Sequence, residues 1–108
     1  MALHIPQLAS LDKNMMHYVY LLRSYKTGKF YLGCTKDIQR RLNEHNNGLS
    51  RSTRGRGPFE VIYYEAYKFR EDAENREMTL KRNPTLIKRL KGRLKVTLAL
   101  ASSQLGDV

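Results

Sequence analysis

Between His17 and Arg23 the chain alternates in the manner of a strand: Tyr18, Tyr20 and Leu22 fall on one face, Val19 and Leu21 on the other. Its aromatic and aliphatic content is what strands favour. Ser24 to Lys29, with Gly28, interrupts the pattern as a hairpin loop, and Phe30 to Gly33 returns with Tyr31 and Gly33 on a shared face. The period then changes. Ile38, Leu42 and His45 recur at helical spacing as far as about Asn47, with Thr35 or Asp37 able to cap the start and Gly48 able to stop the end. Arg41 lies beside Ile38 and Leu42, one turn before His45, so the two side chains project together.

Leu49 to Pro58 is polar and glycine-bearing, a loop that carries Arg51, Arg54 and Arg56. Phe59 to Tyr67 reads as a third strand. Phe69 to Arg82 reads as a second helix with an inward stripe of Phe69, Ala73, Glu77 and Leu80. Asn83-Pro84 breaks it, and Pro84 suits the first turn of a third helix reaching about Leu94. Residues 1–15 are expected to be an N-terminal tail, 16–94 the folded domain, and 95–108 a C-terminal tail of mixed apolar and small residues whose state the pattern leaves open. The sum is an α+β domain, a small antiparallel sheet with helices packed against it.

Charge narrows the function. Among 108 residues, 20 Lys and Arg face 10 Asp and Glu, a net +10 with a pI near 10.0. An excess of two to one points to a polyanionic partner, nucleic acid before anionic membrane. No stretch is long and apolar enough to span a bilayer, and the N-terminus lacks a secretory pattern. The lone Cys34 cannot form an internal disulfide, which fits a reducing cytosol and a cytoplasmic location. No Cys/His cluster has zinc spacing.

Tyr18-Val19-Tyr20 and Tyr31-Leu32-Gly33 are separated by ten residues, and a helix bearing Arg41 and His45 comes next. Phenol, guanidinium and imidazole together can accept a proton, hold a phosphate and donate a proton. This arrangement resembles the GIY-YIG nuclease family, and the stretch from Gly33 through Asp37, Arg41 and His45 to Gly48 is similar to the segment after that family's second triplet. The resemblance spans roughly residues 16–93 and implies a three-stranded sheet flanked by helices. It places the essential arginine on Arg41 and the histidine on His45, with Tyr20 and Tyr31 as the site phenols. Arg41 would hold the scissile phosphate with a fork that lysine cannot copy. Tyr63, Tyr64 and Tyr67 are read as strand filling.

Glu77 has two readings. An acid on an inward stripe needs compensation, which Lys81 or the surroundings of Arg76 could supply as a salt bridge. The resemblance instead implies that Glu77 binds a divalent metal. One carboxylate completed by water suits Mg²⁺, for which Mn²⁺ could substitute, and the lack of a dense acidic cluster argues against two metals. Tyr18 stands where the family has glycine, and Asn83 matches the family's downstream asparagine too loosely to join the site.

The remaining basic residues form two groups, Arg51, Arg54 and Arg56 in the loop and a run without acids containing Lys81, Arg82, Lys88 and Arg89. Both are expected to bind nucleic acid through its backbone. The expected function is therefore a metal-dependent endonuclease acting on branched, damaged or otherwise structured DNA, as in DNA repair. One of Tyr20 or Tyr31 would help to activate water, and nearby Arg41 and metal would favour the ionised phenol. A protein partner could supply targeting. A Cys34 nucleophile is rejected because no acid orients it with His45. The alternatives are a noncatalytic DNA- or RNA-binding module of the same fold, and a protein-interaction domain that docks through the C-terminal stretch.

Overall fold

The computed structural model describes residues 15–106. Strands β1 (His17–Ser24), β2 (Phe30–Thr35) and β3 (Phe59–Tyr67) form one sheet in the order β2-β1-β3, with both pairings antiparallel. The helices are α1 (Ile38–Asn46), α2 (Arg70–Arg82), α3 (Pro84–Gly92) and α4 (Lys95–Gly106). The α+β layout expected from the pattern is the observed one. The N-terminal tail reading concerns residues outside those described, apart from Met15.

β1 is central, and the structure covers both of its faces. On one, Tyr20 and Leu22 pack with Phe59 against Ile38 and Leu42 of α1. On the other, Val19 packs with Ala73 and Leu80 of α2 and with Leu86 and Ile87 of α3. Val19, Leu21 and Leu22 are at most 1% exposed, and burying each such side chain is worth about 1.5–3 kcal/mol. Alternation along β1 thus separates two cores rather than a core from solvent.

Local signals set the boundaries. Asp37 caps α1 by accepting from the Arg40 N–H at 3.1 Å. At the other end Gly48 takes φ +72, the Leu49 N–H reaches the Glu44 carbonyl at 2.9 Å, and the Gly48 N–H reaches that of His45 at 3.2 Å. These two bonds are the Schellman closure that a left-handed glycine permits. Pro84 occupies the first turn of α3 as expected.

Two boundaries differ from expectation, and one stretch left open by the pattern takes a definite form. β2 continues two residues past Gly33 because Cys34 and Thr35 still pair with Val19 and Tyr18. Phe69 is not on the inward stripe of α2. It precedes the helix in extended conformation and is 59% exposed, because the helix begins one residue later. The stretch after Leu94 is helical, as α4, and joins the body through a hydrogen bond from Arg23 to the Leu98 carbonyl at 3.2 Å.

Tyr63 and Tyr67 do more than fill a strand. Both hydroxyls donate to Glu65 at 2.6 Å, and Arg76 of α2 grips the same carboxylate through two nitrogens at 2.9 and 3.0 Å. Burial pushes the Glu65 carboxyl up, but the bonds from Arg76, Tyr63 and Tyr67 outweigh it and hold the group at about 2. A depressed carboxyl stabilises the fold above its unfolded value, near 4.3, and loses that contribution as pH falls toward 2. Glu65→Gln should cost about 2–3 kcal/mol at pH 7 and flatten the stability profile between pH 4.5 and 2, as measured by urea unfolding across that range.

Candidate active site

Tyr20 faces Gly33 across the β1–β2 ladder, and this pairing shapes the site. A Cβ built on Gly33 would collide with the Tyr20 hydroxyl and Cζ and would stand only 2.8 Å from Cε1. No side chain fits there. The glycine is required for the phenol that crosses it rather than for its own backbone angles, and only the strand register reveals this.

With that space free, Tyr20 lies 3% exposed and its hydroxyl meets His45 Nε2 at 3.0 Å. His45 Nδ1 meets the Thr53 hydroxyl at 2.7 Å. A neutral imidazole has one donor and one acceptor nitrogen. With hydrogen on Nδ1, Tyr20 donates to His45 and His45 donates to Thr53. Both nitrogens are engaged, so neither is left for Cys34, whose thiol is pushed up by burial and by the charges of Glu77 and Glu74.

Arg41 projects from α1 beside this pair. Its guanidinium donates to Glu44 at 2.9 Å and to the Ser50 hydroxyl at 3.4 Å. It lines a cleft of about 820 Å³ with Lys36 and Arg40 on one side and Glu74, Glu77, Lys81 and Arg82 of α2 on the other. The cleft therefore wraps around the β2 edge and brings together a guanidinium from one face of the sheet and a carboxylate from the other.

Burial pushes the Tyr20 phenol up, and the nearby Arg41, which pulls it down, does not win. Arg41 acts in the expected direction, but without metal burial outweighs it, and Tyr20 is neutral at pH 7. Burial and the charge of Arg41 both push the His45 imidazole down. Tyr20 and His45 are thus a neutral donor–acceptor pair beside a permanent cation.

The other expected residues divide by position. Tyr31, like Tyr20 and His45, does not line the cleft; its ring packs edge-on against Phe59 at 5.2 Å and its hydroxyl accepts from Arg56 at 3.2 Å. Glu77 pairs with Lys81 at 3.2 Å and keeps a side chain 21% exposed, so the salt-bridge reading describes its contact. Lys81 and Arg82 line the cleft, while Lys88 lines a separate hollow. Arg51, Arg54 and Arg89 are exposed, and Arg54 donates to the Gly48 carbonyl at 2.9 Å.

Thr53 and Ser50 were not legible as site residues. A threonine 1% exposed and a serine 6% exposed within a polar loop leave no periodic signal; only their partners identify them.

As a test of metal fit, no three His, Cys, Asp or Glu side chains cluster suitably among the described residues. A carboxylate that opens on a wide cleft and is held by an exposed lysine suits an ion that keeps most of its water, such as Mg²⁺.

Among known proteins, the model of the GIY-YIG catalytic domain matches residues 16–89. A UPF0213 protein of Clostridium perfringens is 38% identical over 68 residues, 62% of this chain and 72% of that one. One of Halobacterium salinarum is 39% identical over 67 residues, 61% of this chain and 86% of that one. The solution NMR structure of a UPF0213 protein from Bacillus halodurans is 38% identical, covers 75% of this chain and 86% of that one, and superposes with a TM-score of 0.47.

Two outcomes are expected. Gly33→Ala should displace Tyr20 and cost about 1–3 kcal/mol, with loss of the Tyr20–His45 contact seen as a shift of the His45 ring resonances by NMR. His45 should titrate below the ordinary histidine value of about 6.5. Because its folded value is the lower one, stability should fall as pH drops below that unfolded value and level off once the folded group is protonated. A His45→Gln variant should lose this acid sensitivity in thermal unfolding followed from pH 8 to 5.

Proposed function

Because the chain belongs to the GIY-YIG family, we propose that it is an endonuclease that hydrolyses DNA phosphodiester bonds with the help of one divalent metal ion, Mg²⁺ or Mn²⁺. The observation that carries this reading is the neutral Tyr20–His45 pair, joined at 3.0 Å and buried just behind Arg41, which lines the cleft. Such a pair can pass a proton without either member starting as an ion.

Tyr20 takes a proton from the attacking water as it gives its own to His45 Nε2. This removes the difficulty of a phenol of pKa near 10 acting as a base, because the acceptor is an imidazole kept neutral by burial and by Arg41. Thr53 fixes the ring through Nδ1. Arg41 holds the scissile phosphate and opposes the negative charge that grows on it, an effect worth roughly 10²–10³-fold in rate where one such donor is removed. Tyr31 with Arg56 lies to one side, suited to positioning the nucleic acid.

Glu77 is the residue that would hold the metal, which when bound would supply charge stabilisation at the phosphate and leaving oxygen. Lys81 must release Glu77 for this, and a surface pair of this kind costs little to break. Arg51, Arg54, Lys81, Arg82, Lys88 and Arg89 are proposed as backbone contacts that give salt-dependent affinity for structured or damaged DNA. No helix among the described residues is long and apolar enough to cross a membrane. The proposed location is the cytoplasm, on the separate ground that the single Cys34 fits a reducing compartment.

Nicking of supercoiled and branched DNA tests this reading. The parent should cut only with Mg²⁺ or Mn²⁺. Arg41→Lys and Glu77→Ala should each lose at least 10²-fold while still binding DNA in a gel. Equal cutting by parent and Glu77→Ala would remove the assigned site, and salt-sensitive binding with no cleavage by the parent would leave a noncatalytic DNA- or RNA-binding module.

A further inference from the structure

Beyond Lys81 the surface opens into a second hollow of about 460 Å³. Its walls are apolar: Phe30 and Leu32 from β2, Pro84 and Ile87 from the start of α3. Its polar groups are Lys81, Lys88 and Lys91, with no acid among the lining residues. Lys81 also lines the catalytic cleft, so the two concavities adjoin. Another surface concavity, between α1 and β3, contains Asp37 and Glu60 and is electrostatically unsuited to a phosphate backbone.

An apolar slot rimmed by cations is not what a paired duplex needs, because a duplex hides its base faces and presents phosphates. An unpaired nucleotide needs both parts, a flat apolar surface for the base and ammonium groups for its phosphates. Lys91 Nζ stands 3.9 Å and the Arg23 guanidinium carbon 5.5 Å from the centre of the Phe30 ring, so this ring already serves as a π-surface for cations, one of which, Lys91, lines the hollow. A stacked base would move Lys91 from the ring to the adjoining phosphate.

We propose that this hollow receives an unpaired nucleobase of the strand held in the cleft, so that the substrate is DNA with a single-stranded segment next to the scissile bond. The proposal rests on the nuclease reading for its scissile bond, but its binding test does not need cleavage. Lys81 lies between hollow and cleft and contacts the backbone passing from one to the other. Phe30 supplies the stacking surface, and Lys88 and Lys91 fix the phosphates on either side.

The experiment places 2-aminopurine in the single-stranded arm of a forked oligonucleotide and, separately, inside a matched duplex, and titrates each with the full chain without metal. Stacking should quench the arm and leave the duplex probe unchanged. Phe30→Leu keeps the apolar volume and should abolish the quench. The exposed Lys88→Gln variant should weaken fork binding about threefold to tenfold with thermal unfolding unaltered. Equal affinity for fork and duplex, or a quench unmoved in Phe30→Leu, overturns the hollow. The same oligonucleotides are then incubated with Mg²⁺. A chain that quenches without cutting retains the hollow and loses the nuclease reading, whereas one that cuts without quenching does the reverse.

Discussion

β1 is hydrogen-bonded along both edges and covered on both faces, and every other element takes its place from it. A strand held on four sides cannot slip by one residue without exchanging its two cores, because each side chain would change faces. That constraint places Tyr20 opposite Gly33, sends its phenol under α1 and so brings it to His45. The precision of the site is inherited from sheet register more than from any contact within the site.

Electrostatics divide the labour among its residues. Burial keeps Tyr20 and His45 neutral, while Arg41 stays charged because its guanidinium cannot deprotonate in the working range. The cleft thus carries fixed positive charge at Arg41, and the uncharged Tyr20–His45 pair lies buried behind it. Nearby, Glu65 shows what satisfaction looks like when no reaction is required: a carboxylate closed off by Arg76, Tyr63 and Tyr67. Glu77, with one partly exposed lysine, is closed off far less.

Much of this was legible in the sequence. Strand alternation located β1, the reading of Phe59 to Tyr67 as a strand matches β3, and helical spacing set Arg41 and His45 on one helix with His45 turned inward. Side chains whose role depends on a distant partner were not legible. Gly33 reads as a strand residue until Tyr20 is placed across from it, and Thr53 reads as loop until His45 reaches it. Phe69 was misplaced because an apolar residue at helical spacing need not lie within the helix. α4 escaped because its apolar residues do not gather on one side.

The loop that carries Thr53 begins and ends at one clamp. The Asn46 side chain accepts from the Phe59 N–H at 2.7 Å and donates to the Phe59 carbonyl at 3.3 Å, so a single amide imitates a neighbouring strand. Residues 47–58 are thereby tied at their base, and the Tyr25 N–H adds a bond to the Pro58 carbonyl at 2.8 Å. Such a lobe resembles a handle fixed at its root: the clamp keeps both ends in register with the sheet while the span between them presents its arginines.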